Sequence, residues 1–156
     1  MPTDTHPGTR AGKIAILLPS LEGGGAERSM LNLAKGFLAR GRGVDLVLCQ
    51  AKGALLDEIP AGATMTELEA TGGFWARWII AKGNPQDFFA RLRPVLLAKK
   101  VSPEVTRIRS LQRYMEASQP DIILCALPYA NLSAIWAKQL SGSGVPVVVS
   151  ERIALS

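Results

Sequence analysis

Apolar blocks of two different periods alternate along this chain. Lys13 to Leu18 (KIAILL) is a nearly continuous apolar run, the pattern of a strand covered on both faces. From Ala26 to Arg40 the period changes. Met30, Leu33, Ala34, Phe37 and Leu38 recur at helical spacing, Glu27, Arg28, Lys35 and Arg40 face elsewhere, and Gly41 ends the helix. Val44 to Cys49 (VDLVLC) reads as a second buried strand. Thr64 to Leu68 reads as a weaker third, reached through a turn at Pro60 and Gly62. Ser102-Pro103-Glu104 opens another helix, with a capping serine, a proline in the first turn and a carboxylate at the positive end. Val105, Ile108, Leu111 and Met115 form its stripe, and Pro120 stops it. Asp121 to Leu127 (DIILCAL) is a fourth strand. Tyr129 to Leu140 is a helix with Leu132, Ile135, Trp136 and Leu140 inward, and Pro146 to Ser150 (PVVVS) is a fifth strand.

Strands alternating with helices predict an α/β fold, a Rossmann-like doubly wound parallel sheet in three layers. The right-handed crossover rule favours the strand order 3-2-1-4-5. In that order Cys49 and Cys125 lie on strands either side of the first, roughly 9–10 Å apart, and are not bonded. The expected layout is a polar tail over residues 1–11 and one domain over 12–156. Ala70 to Lys100 is harder to place, with turn signals at Gly72-Gly73 and Gly83-Asn84-Pro85 and a Pro94 that kinks or restarts a helix.

Composition changes this picture little. The 156 residues are 47% hydrophobic and 20% charged, ordinary for a soluble domain, and no run reaches the ~18 apolar residues of a membrane-spanning helix. With no apolar leader in MPTDTHPGTRAG, a cytoplasmic setting is the default. The two cysteines read as buried hydrophobes. The single histidine, His6, sits in the tail, so neither a metal site nor a cofactor is expected. Charge is more telling because it is uneven. Between Phe74 and Arg113 nine cations (Arg77, Lys82, Arg91, Arg93, Lys99, Lys100, Arg107, Arg109, Arg113) face two acids (Asp87, Glu104), a local +7. The net charge of the whole chain is +5, so the remainder carries −2.

The stretch PSLEGGGAERS, between the first strand and first helix, is the chemical candidate. A dinucleotide fingerprint starting at Gly23 needs glycine where Arg28 stands, and a GxxxxGK[ST] phosphate loop is absent. Two readings remain: a tight turn without ligand, or an open helix end whose unpaired amides attract an anion. Glu27 acts both ways, stabilising the helix by roughly 0.3–1 kcal/mol while partly neutralising an anion site.

KIAILLPSLEGGGAERSMLNLAKGFLARG resembles the start of the family-4 retaining glycosyltransferases of GT-B fold. QPDIILCALPYANLSAIWAKQL and VPVVVSER resemble the family's fourth strand with its helix and its fifth strand, in the same order. The resemblance implies the amino-terminal, acceptor-side domain of such an enzyme. Gly23, Gly24 and Gly25 would face the interdomain cleft, near the donor's phosphates and the acceptor pocket. Glu27 and Arg28 would start the helix, and Tyr129, Asn131, Glu151 and Arg152 would line the same edge. Asn131 has a plainer alternative as a helix cap, Tyr129 as packing, and Glu151-Arg152 as a surface ion pair. Two departures stand out. Cys125-Ala126-Leu127 occupy the place where many members have a histidine, and the sequence given ends at Ser156, before the second domain that holds the nucleotide and an E-x7-E motif.

The resemblance implies a nucleotide-sugar donor gripped mainly by the second domain, a sugar or lipid-linked acceptor, and a setting in cell envelope polysaccharide assembly. A fragment with one cleft wall is expected to be inactive alone. Phe74, Trp75, Trp78, Ile79, Ile80, Phe88 and Phe89, interleaved with cations, would suit peripheral contact through 74–113 with the inner face of the membrane. The alternative is that these aromatics pack on the sheet. A different class, a non-catalytic module for anions, for a partner or for a second copy, stays open because the fifth strand would lie at a sheet edge. No DNA or RNA motif accompanies the basic segment, so no specific nucleic-acid partner is expected.

Overall fold

The computed structural model describes residues 12–72, 74, 78 and 103–150. In chain order the elements are β1 (Lys13–Leu18), α1 (Gly25–Leu38), β2 (Gly43–Leu48), β3 (Thr64–Glu67), α2 (Ile108–Ser118), β4 (Ile122–Ala126), α3 (Pro128–Ser141) and β5 (Val147–Ser150). The strands form one parallel sheet in the order β3-β2-β1-β4-β5, as the crossover rule predicts. Being central, β1 must be apolar on both faces. Ile14, Ile16 and Leu18 join a cluster with Met30, Leu31 and Ala34 of α1, whereas Ala15 and Leu17 join one with Ile108, Leu111 and Ala134 of α2 and α3. Helices thus cover both faces, and every strand delivers its carboxyl end to one edge of the sheet.

Three local readings need correction. In α1, Glu27, Met30, Leu31 and Ala34 are buried, whereas Leu33, expected inward, is half exposed. The helix expected from Pro103 begins as a 3-10 turn, Val105–Arg107, and becomes α-helical only at Ile108. There the Arg107 guanidinium donates to the carbonyl oxygens of Leu68 (3.0 Å) and Pro103 (2.9 Å), which ties the turn to the end of β3. Ser102 and its capping role lie outside the described residues. In α3 the inward face is Ala130, Asn131, Ala134 and Ala137 with Trp136, while Leu132 and Ile135 point outward. Small side chains let this helix lie close on the sheet, an advantage that a ranking of positions by hydrophobicity overlooks.

At the amino edge of the sheet Asp45 is buried among partners. Its Oδ2 accepts from Tyr114 Oη (2.7 Å) and pairs with Lys13 Nζ (3.4 Å). Its Oδ1 accepts from Thr64 Oγ1 (2.9 Å) and Thr66 Oγ1 (3.2 Å). The Lys13 ammonium also donates to Ser118 Oγ and lies over the Tyr114 ring.

Both cysteines are buried free thiols. Burial pushes Cys125 from 9.0 up to about 12. Cys49 also rises from 9.0 to about 12, by burial first and then the charge of Glu104, against an opposing Arg107. A thiol whose folded pKa exceeds its unfolded value stabilises the fold fully below about 9, and that contribution is lost as pH rises toward 12. Aromatic disulfide reagents at pH 8 should therefore leave both thiols unmodified until urea unfolds the chain, and rapid native-state labelling of either would contradict this burial.

Candidate functional site

The candidate site is built where β1 and β4, neighbours in the sheet, release the chain at its carboxyl edge. After Leu18 the chain does not wander, because the loop following β2 holds it backbone to backbone. Gln50 N–H donates to Pro19 O (2.9 Å), Leu21 N–H to Lys52 O (2.9 Å) and Leu55 N–H to Leu21 O (2.9 Å). Leu21 is fully buried beneath. Gly53 makes this apposition possible. Its φ is +121°, and a Cβ there would lie 2.1 Å from Leu21 O and 2.4 Å from Glu22 N. An ion pair from Lys52 Nζ to Glu22 Oε1 (2.7 Å) closes the rim.

From this support the chain turns at Gly23, whose φ of +124° favours glycine, and enters α1 with Gly24 as its N-cap. Glycine offers no capping oxygen. The reverse half of a capping box is nevertheless complete: the Glu27 carboxylate, only 8% exposed, accepts from Gly23 N–H (2.6 Å) and Gly24 N–H (2.7 Å) through Oε2. Glu27, expected to start the helix and to face away from its apolar stripe, does lie in the first turn but points inward and bolts the loop. Arg28 turns aside to Glu58 (3.4 Å), an exposed pair worth little stability. Gly24 and Gly25 are exposed, so the helix tip is open.

Gly25 is a different glycine. A Cβ there would meet nothing within 4 Å, and the residue is the first of the helix, so the chain itself gives no reason for it. Gly25→Ala should raise stability, by up to about 1 kcal/mol, as read from urea unfolding.

The second wall comes from the β4–α3 turn. Leu127 takes φ +84° and ψ 139°, a strained setting for a bulky residue that costs on the order of 1–3 kcal/mol, and Pro128 then starts α3. Tyr129 stands 58% exposed. Asn131 is buried one turn in, where it caps nothing. Its Nδ2 donates to Ser150 O at the end of β5 (3.2 Å), and its buried Oδ1 has no hydrogen-bond partner among the described residues. The structure therefore brings Gly23, Gly24, Gly25, Glu27, Arg28, Tyr129 and Asn131 to one edge. Glu151 and Arg152 lie outside the described residues. So does most of the basic aromatic segment. Within it Phe74 and Trp78 are exposed, as are Arg109 and Arg113, whereas Arg107 serves the structural tie to Leu68. Gly53 and the inward turn of Glu27 went unnoticed in the sequence. The G-x-x-E spacing could have revealed Glu27; no local signal marks Gly53.

The Glycosyltransferase Family 4 model matches residues 23–151, from the bend of the open tip to the end of β5. The chain belongs to Glycosyltransferase Family 4. No curated protein sequence matches the chain. Among solved structures, this family member is similar to MurG from Acinetobacter baumannii, at 14% identity and a TM-score of 0.54, over 90% of this chain and 34% of that one. It is also similar to the glycotransferase of kitacinnamycin, at 21% identity and a TM-score of 0.54, over 91% of this chain and 30% of that one. The chain spans about a third of the length of each. At these identities the likeness is one of fold, that of the amino-terminal GT-B domain.

Proposed function

We propose that this Family 4 chain is the acceptor-side half of an enzyme that moves a sugar from a nucleotide-sugar to an acceptor, with the donor-gripping domain outside these 156 residues. The observation that carries this reading is the family match beginning at the glycine bend, set on an open tip at the carboxyl edge. The coverage of only 34% and 30% of the two similar structures supports a second cleft wall elsewhere. Holding donor and acceptor in attack geometry is worth ~7–11 kcal/mol, and one wall alone does not supply it. The chain alone is thus expected to transfer no sugar from UDP-glucose or GDP-mannose. Acceptor sugars titrated into the labelled chain should shift the amides of Gly23 to Arg28, Tyr129 and Asn131. Turnover by the chain alone, or shifts confined to the amino edge of the sheet, would overturn the reading.

The acceptor is proposed to be lipid-linked and met at the inner face of the membrane. Exposed Phe74 and Trp78 and the outward Arg109 and Arg113 support this, since aromatic groups and cations suit an anionic headgroup layer. No helix among the described residues is long and apolar enough to cross a membrane. Liposomes with anionic lipid should pellet the chain, neutral ones should not, and equal pelleting would remove the idea.

One observation favours a second reading, a partner-binding or self-associating module. Val148 and Val149 of β5 are each 48% exposed on a strand that, among the described residues, pairs only with β4. A light-scattering mass above that of the monomer would support it, and a clean monomer would count against it.

A further inference from the structure

We propose that Asn131 is a positioning residue whose carboxamide replaces the peptide group that β4 withdraws at its carboxyl end, and so carries the pairing of β5 one rung beyond Ser150. The ladder itself shows where that rung belongs. In this parallel pair Ile123 stands beside Val147, and its N–H donates to Pro146 O (2.9 Å). The pattern repeats every second residue, and Cys125 stands beside Val149. Two further bonds would follow. The N–H of residue 127 would donate to Ser150 O, and the carbonyl of residue 127 would accept from the N–H of residue 152. Leu127 fills neither place. Its backbone turns away at φ +84°, the pairing ends at Ala126 beside Ser150, and its carbonyl takes the Asn131 N–H (3.0 Å) as a helical bond of α3. Ser150 O accepts from Asn131 Nδ2 instead (3.2 Å).

A side-chain carboxamide is the hydrogen-bonding equal of a peptide group, with a donor and an acceptor on one planar frame. The donor half of Asn131 already occupies the first vacant place. Its Oδ1, bonded to the same carbon as Nδ2, therefore lies at the same end of β5. This oxygen is buried, on a side chain 7% exposed, and has no hydrogen-bond partner among the described residues. Native proteins seldom leave a buried acceptor so. The donor it lacks is the next one in the ladder, the N–H of Arg152, which lies outside the described residues. The consequence for function rests on the reading of this edge as a substrate cleft. A site residue held on a strand is placed more sharply than one on a loop. Asn131 thus sets Glu151 and Arg152 at the carboxyl edge through the backbone of β5.

The test is amide hydrogen exchange by NMR on the full chain, as the parent and as Asn131→Leu, which keeps nearly the same shape but offers neither donor nor acceptor. In the parent, the Arg152 N–H should exchange at least about tenfold more slowly than those of Ala154 and Leu155. In Asn131→Leu it should quicken by about tenfold, while the Val148 N–H, deeper in the same ladder, keeps its rate. A role in packing alone would move both amides or neither. A scalar coupling across the hydrogen bond, from the Arg152 nitrogen to the Asn131 side-chain carbonyl carbon, identifies the acceptor in the parent alone. Coupling to the Leu127 carbonyl carbon instead would overturn the proposal, as would an Arg152 N–H as fast as Ala154 and Leu155, or one equally slow in Asn131→Leu. Titration with acceptor sugars reads the functional part. Shifts at Glu151 and Arg152 in the parent should fall away in Asn131→Leu while those at Gly23 to Arg28 remain, and their persistence would count against the positioning role. Failure of the exchange result leaves the acceptor-side reading standing, since that is judged by turnover and by the glycine-loop shifts.

Discussion

Gly53→Ala is expected to cost at least about 3 kcal/mol and to dismantle the support of the glycine loop. Two penalties coincide at this position. The backbone sits at φ +121°, where a side chain is strained whatever the space. The added Cβ would also lie 2.1 Å from Leu21 O, 2.2 Å from Leu21 C and 2.4 Å from Glu22 N. These are backbone atoms held by their own hydrogen bonds to Lys52 and Leu55, so no rotamer change relieves the overlap. The two loops must separate, which gives up those bonds and unseats buried Leu21. Urea unfolding should show the loss, and amide spectra should show shifts spreading from Leu21 to Glu27. A Gly53→Ala protein within about 1 kcal/mol of the parent would refute the backbone apposition. Gly25→Ala, with open space around it, is the internal control.

The second large effect belongs to the opposite edge. Asp45→Ala is expected to destabilise by about 2–4 kcal/mol, because it takes the buried carboxylate away from the hydroxyls that donate to it, while the Lys13 ammonium is partly solvated. The carboxylate serves Tyr114, Thr64, Thr66 and Lys13 together; its removal takes this acceptor from all four, though Lys13 keeps Ser118 Oγ and Thr64 keeps Val44 O. Asp45→Asn should cost less, since its amide oxygen still accepts from the threonines. Tyr114→Phe should cost about 1–2 kcal/mol. The double variant Asp45→Ala/Tyr114→Phe should cost less than the two losses added, because they share one bond. Exact additivity in chemical denaturation would sink the network. Burial first, and then the bond to Asp45, push the Tyr114 phenol above its usual value. Its folded pKa therefore exceeds the unfolded one, so its contribution is intact below pH about 10 and declines above it. In Asp45→Ala this alkaline decline should be smaller.

The strand order was legible because it depends on information the chain carries locally: apolar runs bounded by turns, helices between them, and one permitted hand of crossover. The carboxyl-edge address of the glycine loop followed from the same logic. Helix faces were less legible. In α3, Leu132 and Ile135 look like core by hydrophobicity, yet alanines face the sheet because closeness mattered more than side-chain size. The place of Glu27 in the first turn was legible but its burial was not: a charge there is usually solvated, and the two glycine amides make its burial favourable. Asp45 could have been suspected, as a lone acid in VDLVLC must find partners if both faces are covered. Gly53 could not. Its need arises from contact with a loop some thirty residues earlier, which nothing in its own neighbours foretells.

The alanine face of α3 also makes that helix a lever. Ala130, Ala134 and Ala137 all rest on the core with no exposed surface, so there is no soft layer to absorb a change beneath the rod. A methyl added under Ala137, near the far end, would tilt the whole helix and swing Tyr129 and Asn131 at its near end. Substitutions at the far end of α3 could therefore displace Tyr129 and Asn131 at the carboxyl edge of the sheet without either residue being altered.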